Sequence, residues 1–247
     1  MGISAVILAG GEGKRMKSDK PKTLSMVLGK PMLRWVVDSV NGADIENICV
    51  VTGYKKEYIE EYIRENSLKL ETVYQAERLG TGHAVMMCRD FLHRNPGDVV
   101  VLNGDAPFMD SDTIKNAYAL HNEKNSSATV ISARVENPFG YGRIIRGSDG
   151  RLNAIVEQKE ATEEQKAIKE VNSGCYWFDT EKLLEVLDEI TDKNSGGEYY
   201  LTDAVYLLMN KGNTVCAFTA ESSDTVLGAN DPQQLEELNN IAQSKVK

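Results

Sequence analysis

Three glycines and two basic side chains follow directly on the first apolar run of the chain, in Leu8-Ala9-Gly10-Gly11-Glu12-Gly13-Lys14-Arg15-Met16. At the end of a strand, such a turn leaves backbone N–H groups pointing outward and lets a phosphate approach closely. It is not a dinucleotide fingerprint, because Met16 stands where the third glycine belongs, and not a Walker A loop, because Arg15 follows the lysine. Alone, it also reads as a turn with a solvated basic pair. The next segment, Ser18-Asp19-Lys20-Pro21-Lys22-Thr23-Leu24, adds Lys22 behind a proline that fixes the local backbone. Together Arg15 and Lys22 could hold a triphosphate, the arginine by its planar fork and the lysine as a point charge.

A carboxylate stands farther on. The apolar run Asp98–Leu102 ends in Asn103-Gly104-Asp105-Ala106-Pro107. In open parallel sheets ligands bind outside the carboxyl ends of the strands, so Asp105 is placed to hold Mg²⁺, with Gly104 admitting a nucleotide beside it. A plain Asp-x-Pro turn is the competing reading. Gln75-Ala76-Glu77-Arg78-Leu79-Gly80-Thr81-Gly82-His83-Ala84 sets an amide before a glycine-flanked helix start, where it could read a base edge. A free amide can flip to suit uracil or cytosine, so fixed backbone N–H groups around Gly80 and Thr81 are the candidates for discrimination. A glycine turn with Thr81 as N-cap also accounts for this segment locally.

These loops need a scaffold. Short β-rich runs at Ser4–Ala9, Asn47–Thr52, Leu70–Tyr74 and Asp98–Leu102 alternate with amphipathic stretches at Pro31–Asn41, Lys56–Glu65, Thr81–Arg94 and Ser111–Lys124, the last with Ser111 as N-cap. Near-continuous apolar strands between helices predict a mostly parallel sheet covered on both faces. The second half reads as strands at Thr129–Val135, Gly142–Arg146, Leu152–Glu157, Ser173–Phe178 and Thr214–Thr219. Helices are expected at Thr180–Ile190, Leu201–Lys211 and Asp231–Lys247.

The motif L-A-G-G-x-G-x-R-M followed by P-K-x-L resembles the signature of the nucleotide-sugar pyrophosphorylases, with Lys14 where that family usually has threonine. The segment from Gln75 to Ala84 resembles the uridine-reading stretch of the UDP-N-acetylglucosamine pyrophosphorylases. Gly140–Ile144, Ile155–Lys159, Val171–Gly174 and Gly197–Asp203 match the same subfamily in order. The resemblance runs from Ile3 to about Leu235 and implies a Rossmann-like three-layer α/β sandwich with a mostly parallel mixed sheet. Residues 1–230 would form the nucleotidyltransferase domain, and 231–247 its closing helix. It implies UTP and N-acetylglucosamine 1-phosphate as substrates, and Mg²⁺ held by Asp105 and Asn230. Leu8, Ala9, Gly10, Gly11, Lys22, Gln75, Gly80, Thr81, Asn103, Gly104 and Asp105 would bind the nucleotide. Gly142, Glu157 and Asn172 would hold the sugar, with Asn103 a further contact. Arg15 and Lys22 would be catalytic. The same chemistry on another sugar phosphate or nucleotide, or a catalytically silent sensor on this fold, are the alternatives. The β-helix of hexapeptide repeats that gives bifunctional relatives their acetyltransferase activity has no counterpart here, so no acetyl transfer is expected.

Composition agrees. With 37 acidic against 28 basic residues and a net charge of -9, a nucleic-acid partner is disfavoured. Cys49, Cys88, Cys175 and Cys216 form no C-x-x-C pair and read as reduced thiols, and the 3 histidines form no zinc pattern. The first apolar run is too short for a signal peptide, Val6 breaks the myristoylation pattern, and no run reaches membrane-spanning length. A cytoplasmic protein without a membrane partner is expected; the pattern says nothing of oligomeric state.

Overall fold

The computed structural model describes residues 2–194 and 196–245. In chain order the elements are β1 (Gly2–Leu8), β2 (Met26–Val27), β3 (Lys30–Pro31), α1 (Met32–Gly42), β4 (Asn47–Thr52), α2 (Lys56–Glu65), β5 (Glu71–Tyr74), α3 (Thr81–Met86), α4 (Arg89–Arg94), β6 (Gly97–Asn103) and α5 (Ser111–Glu123). They continue with β7 (Ala128–Arg134), β8 (Arg143–Arg146), β9 (Leu152–Val156), α6 (Glu163–Lys166), β10 (Glu170–Asp179), α7 (Thr180–Leu187), α8 (Thr202–Asn210), β11 (Val215–Thr219) and α9 (Pro232–Lys245). The main sheet runs β11-β7-β10-β6-β1-β4-β5, with β8 and β9 added along β10.

Strands β1, β4, β5 and β6 pair in parallel, as the alternation of apolar strands with helices predicts. The reason is visible in β6. Val99 and Val101 join one apolar cluster with Phe91, Phe178 and Leu183, while Val100 and Leu102 join a second with Leu33, Val36, Ile114 and Trp177. Successive side chains point to opposite faces, so a strand covered by helices on both sides must be apolar throughout. Strand β10 runs antiparallel to both β6 and β7, and its pairing slips between Asn172 and Cys175.

Three local expectations are corrected. The helix expected over Thr81–Arg94 is two helices, α3 and α4, joined through Met87 and Cys88. Asp110 rather than Ser111 caps α5, its side chain accepting from Thr113 N at 2.7 Å. Gly80, at φ 113°, occupies the N-cap of α3, so Thr81 is the first helical residue. The last two residues of the expected closing helix, Val246 and Lys247, lie outside the described residues.

Helix α9 closes the domain over the β2–β3 hairpin, where Leu238 and Ala242 pack with Val27, Met32 and Phe108. Asn239 binds β2 and the turn that follows it, accepting from Leu28 N at 2.9 Å and donating to Met26 O at 3.2 Å. All four cysteines are free thiols, three of them buried.

Candidate active site

Parallel strands bring their carboxyl ends to one edge of the sheet. Leu8, Thr52 and Asn103 therefore end side by side, and the three turns that follow form one floor. Gly104 N donates to Leu8 O at 2.9 Å, Tyr54 N to Gly10 O at 3.1 Å, and Gln75 N to Thr52 O at 2.8 Å. A Cβ on Gly53 would stand 2.5 Å from Gly10 O, so the first two turns touch backbone to backbone. Above this floor opens a cleft of about 380 Å³. Of the residues expected to bind nucleotide, Leu8, Gly10, Gly11, Lys22, Gln75, Gly80, Thr81, Asn103 and Asp105 form its wall.

Ala9 and Gly104 are buried behind that wall. A Cβ on Gly104 would meet Leu8 O at 3.0 Å, so this glycine serves the contact between β6 and β1 rather than opening space for a ligand. Arg15 lies on a short 3-10 turn, Lys14–Met16, exposed and outside the cleft wall.

The charged groups are arranged around Lys22. Its Nζ lies 2.5 Å from Asp105 Oδ2 and donates to Asn230 Oδ1 at 3.0 Å, the first two residues being only 18% exposed. Local sequence explains why Asn230 is available. Asp231, not Asn230, accepts from Gln234 N at 2.9 Å, and Asn230 N is held by Gln234 Oε1 at 2.8 Å. The asparagine side chain is thus released from capping. Gly228 lets this turn close on Asp105, since a Cβ there would stand 2.9 Å from Asp105 O. A carboxylate and an amide oxygen separated by about half of the chain therefore converge on one cation. That donor set is all oxygen, which fits a hard ion such as Mg²⁺ completing its shell with water and phosphate.

At the far wall Gln75 is 4% exposed. Its Nε2 donates to Gly80 O at 3.1 Å and lies 3.0 Å from His83 Nδ1, which accepts when the ring proton is on Nε2. The amide is therefore not free, contrary to the expectation from sequence. Turning it over would oppose Oε1 to the Gly80 carbonyl, so its oxygen stays toward Gly10, where a Cβ would meet Oε1 at 3.0 Å. Thr81 Oγ1 accepts from Leu201 N at 3.0 Å, tying the loop to the start of α8.

Gly142 just before β8, Glu157 just after β9 and Asn172 on β10 are brought together. Asn172 N donates to Gly142 O at 2.8 Å, and a Cβ on Gly142 would stand 3.1 Å from Glu157 Oε1. Asn172 Nδ2 donates to Tyr176 Oη at 2.8 Å, and its Oδ1 accepts from Gly174 N at 3.1 Å. Burial, then the charges of Glu160 and Asp203, raises the Glu157 carboxyl above its ordinary value. Asn103 joins this group to the cleft, donating to Ser173 O at 3.2 Å.

Sequence reasoning missed Glu12 and Arg78, whose ion pair at 3.1 Å spans the cleft from glycine loop to base loop. Both lie inside segments singled out above, but nothing local pairs residues so far apart. It missed Tyr199 as well. Gly82 N donates to Tyr199 O at 2.7 Å and Tyr199 N to Leu79 O at 2.8 Å, so the segment before α8 clasps the base loop.

A family described as nucleotidyl transferase matches residues 4–226. The chain belongs to this family. A similar member is a protein named bifunctional protein GlmU from Acetivibrio thermocellus, 45% identical over 99% of this chain and 52% of its own length. The chain thus spans about half the length of the curated relatives it matches. Among solved structures, a Bacillus anthracis candidate glucose-1-phosphate thymidylyltransferase in complex with a sucrose superposes with a TM-score of 0.80 at 22% identity. It covers 98% of this chain and 95% of its own. A UDP-glucose pyrophosphorylase complexed with UDP-glucose gives 0.79 at 20% identity, covering 99% and 100%. At such identities these two establish the nucleotidyltransferase fold, the mixed α/β sheet expected from sequence. Among the described residues no helix is long and apolar enough to cross a membrane.

Proposed function

We propose that this nucleotidyltransferase moves UMP from UTP to N-acetylglucosamine 1-phosphate, with Mg²⁺ held by Asp105 and Asn230. The observation that carries it is the convergence of Asp105 Oδ2 and Asn230 Oδ1 on one cation at the mouth of the glycine loop. The ordered motifs shared with UDP-N-acetylglucosamine pyrophosphorylases support the choice of substrates, as does the 45% identity to a GlmU protein. Both substrates are phosphorylated, and the reaction would belong in the cytoplasm.

A phosphate oxygen of the sugar attacks the α-phosphorus of UTP, the new P–O bond forms, and the bond to the β-phosphate breaks to release pyrophosphate. The nucleophile is already an anion, so no general base is needed, and catalysis consists of positioning and charge stabilisation. Gly10 and Gly11 line the phosphate path with backbone. Lys22 and Arg15 carry the positive charge that meets the triphosphate and the leaving pyrophosphate. Gln75 offers a pinned acceptor for uracil N3–H, its two amide hydrogens being held by Gly80 O and His83, with backbone at Gly80 and Thr81 beside it. Gly142, Glu157 and Asn172 meet the sugar's hydroxyls and amide substituent. When bound, the metal neutralises charge on the two reacting phosphates.

Pyrophosphate release over a grid of nucleoside triphosphates and sugar 1-phosphates tests the reading. UTP with N-acetylglucosamine 1-phosphate is expected to exceed every other pair in kcat/KM. A pair with glucose 1-phosphate or dTTP turned over more efficiently overturns the substrates, and no release with any pair overturns the enzyme in favour of a silent sensor.

A further inference from the structure

Lys22 is assigned above to the triphosphate, yet its ammonium lies elsewhere. It sits between Asp105 Oδ2, at 2.5 Å, and Asn230 Oδ1, at 3.0 Å, which are the two oxygens that would ligate the metal. A divalent ion of this type sits about 2.0–2.1 Å from such oxygens, so it would fall almost on the position of Nζ. Two cations cannot share that point in a partly desolvated cleft, where like charges repel strongly. Either the metal or the ammonium holds Asp105 and Asn230, and not both.

We propose that Lys22 has two stations: without nucleotide it fills the metal site, and the site becomes available only when nucleotide phosphate draws the ammonium off. The proposal rests on reading Asp105 and Asn230 as the metal's ligands. The lysine's own setting favours two stations. A Cβ on Gly13, at φ +63°, would stand 2.8 Å from Lys22 Cβ and 3.2 Å from its Cδ, and one on Gly11 would stand 3.9 Å from its Cε. The aliphatic stem is thus laid along the glycine loop and fixed there by Pro21, while the terminal torsion remains to aim Nζ. One aim reaches Asp105 and Asn230. The other faces the cleft beside Gly10 and Gly11, where Lys22 already forms wall. The exchange conserves charge pairing: the ammonium trades a carboxylate for phosphate oxygens as the metal takes the carboxylate. Asp105 is never left bare, and the nucleotide arrives before or together with its metal.

Titration of Mn²⁺ into the whole protein with no nucleotide present, read by the electron paramagnetic resonance of the free ion, tests this. If the lysine fills the site nine-tenths of the time or more, its removal tightens Mn²⁺ binding at least about tenfold, because apparent affinity scales with the competent fraction. Lys22→Met is therefore expected to bind at least about tenfold more tightly than wild type, with Lys22→Ala behaving alike and the double variant Lys22→Met/Asp105→Asn losing the gain. Arg15→Met removes the same charge from the same loop without vacating the site, and should stay within about threefold of wild type. Equal binding by wild type and Lys22→Met overturns the proposal, as does a gain in Arg15→Met matching that of Lys22→Met, which would make it a matter of net charge. The titration contains no substrate, so its outcome is separate from the substrate grid that decides the functional reading.

Discussion

The two ends of the cleft meet their charges in opposite ways. At the phosphate end four charged wall residues have partners of opposite sign in place: Lys22 with Asp105, joined by the amide of Asn230, and Glu12 with Arg78. At the sugar end Glu157 has, among the described residues, no lysine or arginine within ion-pair distance, and burial raises its carboxyl beside Glu160 and Asp203. Asp203 is raised by burial and by Glu160 in the same way. One end is balanced and waits to exchange partners; the other carries an unrelieved electrostatic cost until hydroxyl groups arrive. The fold explains the split. The phosphate end is made of backbone turns at parallel strand ends, where cations can be drawn from neighbouring loops. The sugar end is made of an amide on β10 and of acids from the turn after β9 and the start of α8.

Breaking the balanced end should have the largest effect. Asp105→Ala, or chelation of wild type, is expected to cut pyrophosphate release by at least roughly 10³-fold, the several kcal/mol that a cation at reacting phosphates supplies. Turnover that survives exhaustive chelation would remove the metal from the mechanism. Arg15→Ala comes next, with a loss in kcat of about two to four orders of magnitude at nearly unchanged melting temperature, since the side chain is exposed. A variant keeping more than about a third of kcat would leave Arg15 on the rim without a role.

Gln75→Ala probes the base wall. It should lower kcat/KM for UTP roughly 10- to 100-fold, the effect of unpaired polar groups in a buried site. Because Gly80 O and His83 fix the amide's orientation, this variant should also lose part of its preference for UTP over CTP. An unchanged preference would assign discrimination to backbone alone.

The smallest effect is expected at the costly end, and it has two signs. Glu157→Gln should raise KM for the sugar phosphate by about tenfold, as loss of a charged hydrogen-bond acceptor does. The same change should raise the melting temperature of the substrate-free protein by no more than about 2 °C. Folding raises the Glu157 carboxyl above its ordinary 4.5, so between 4.5 and the raised value the folded state binds more protons than the unfolded one. Stability falls as pH rises through that window, and the glutamine variant is spared the fall. The gain should therefore be present at neutral pH and vanish below about pH 4.5 in thermal melts. A gain that persists in acid would mean that ionisation is not its source.

Legibility in the sequence follows the same division. Strands β1, β4 and β6 announce themselves because burial on both faces demands unbroken apolar runs, and the glycine loop and Asp105 follow from where those strands end. The junction of α3 and α4 is invisible because Met87 and Cys88 suit a continuing apolar stripe. The β2–β3 hairpin is invisible because two-residue strands have no period. Gly142, Glu157 and Asn172 are ordinary residues of turns and strand ends, legible only as an ordered set by resemblance. That Lys22 would turn to Asn230, or Glu12 to Arg78, depends on contacts across 208 and 66 residues of separation that no local pattern encodes.

The contact of Gly53 with Gly10 O, and of Gly10 with Gln75 Oε1, has a consequence for how this site can change. Phosphate loop, second turn and base reader form one stack with no slack between them. A larger residue at any level would move the other two, so substitutions there are expected to combine non-additively. Altering the base preference of this fold is then a matter of rebuilding three loops in concert, whereas Gly142, Glu157 and Asn172 lie outside that stack and can drift one side chain at a time.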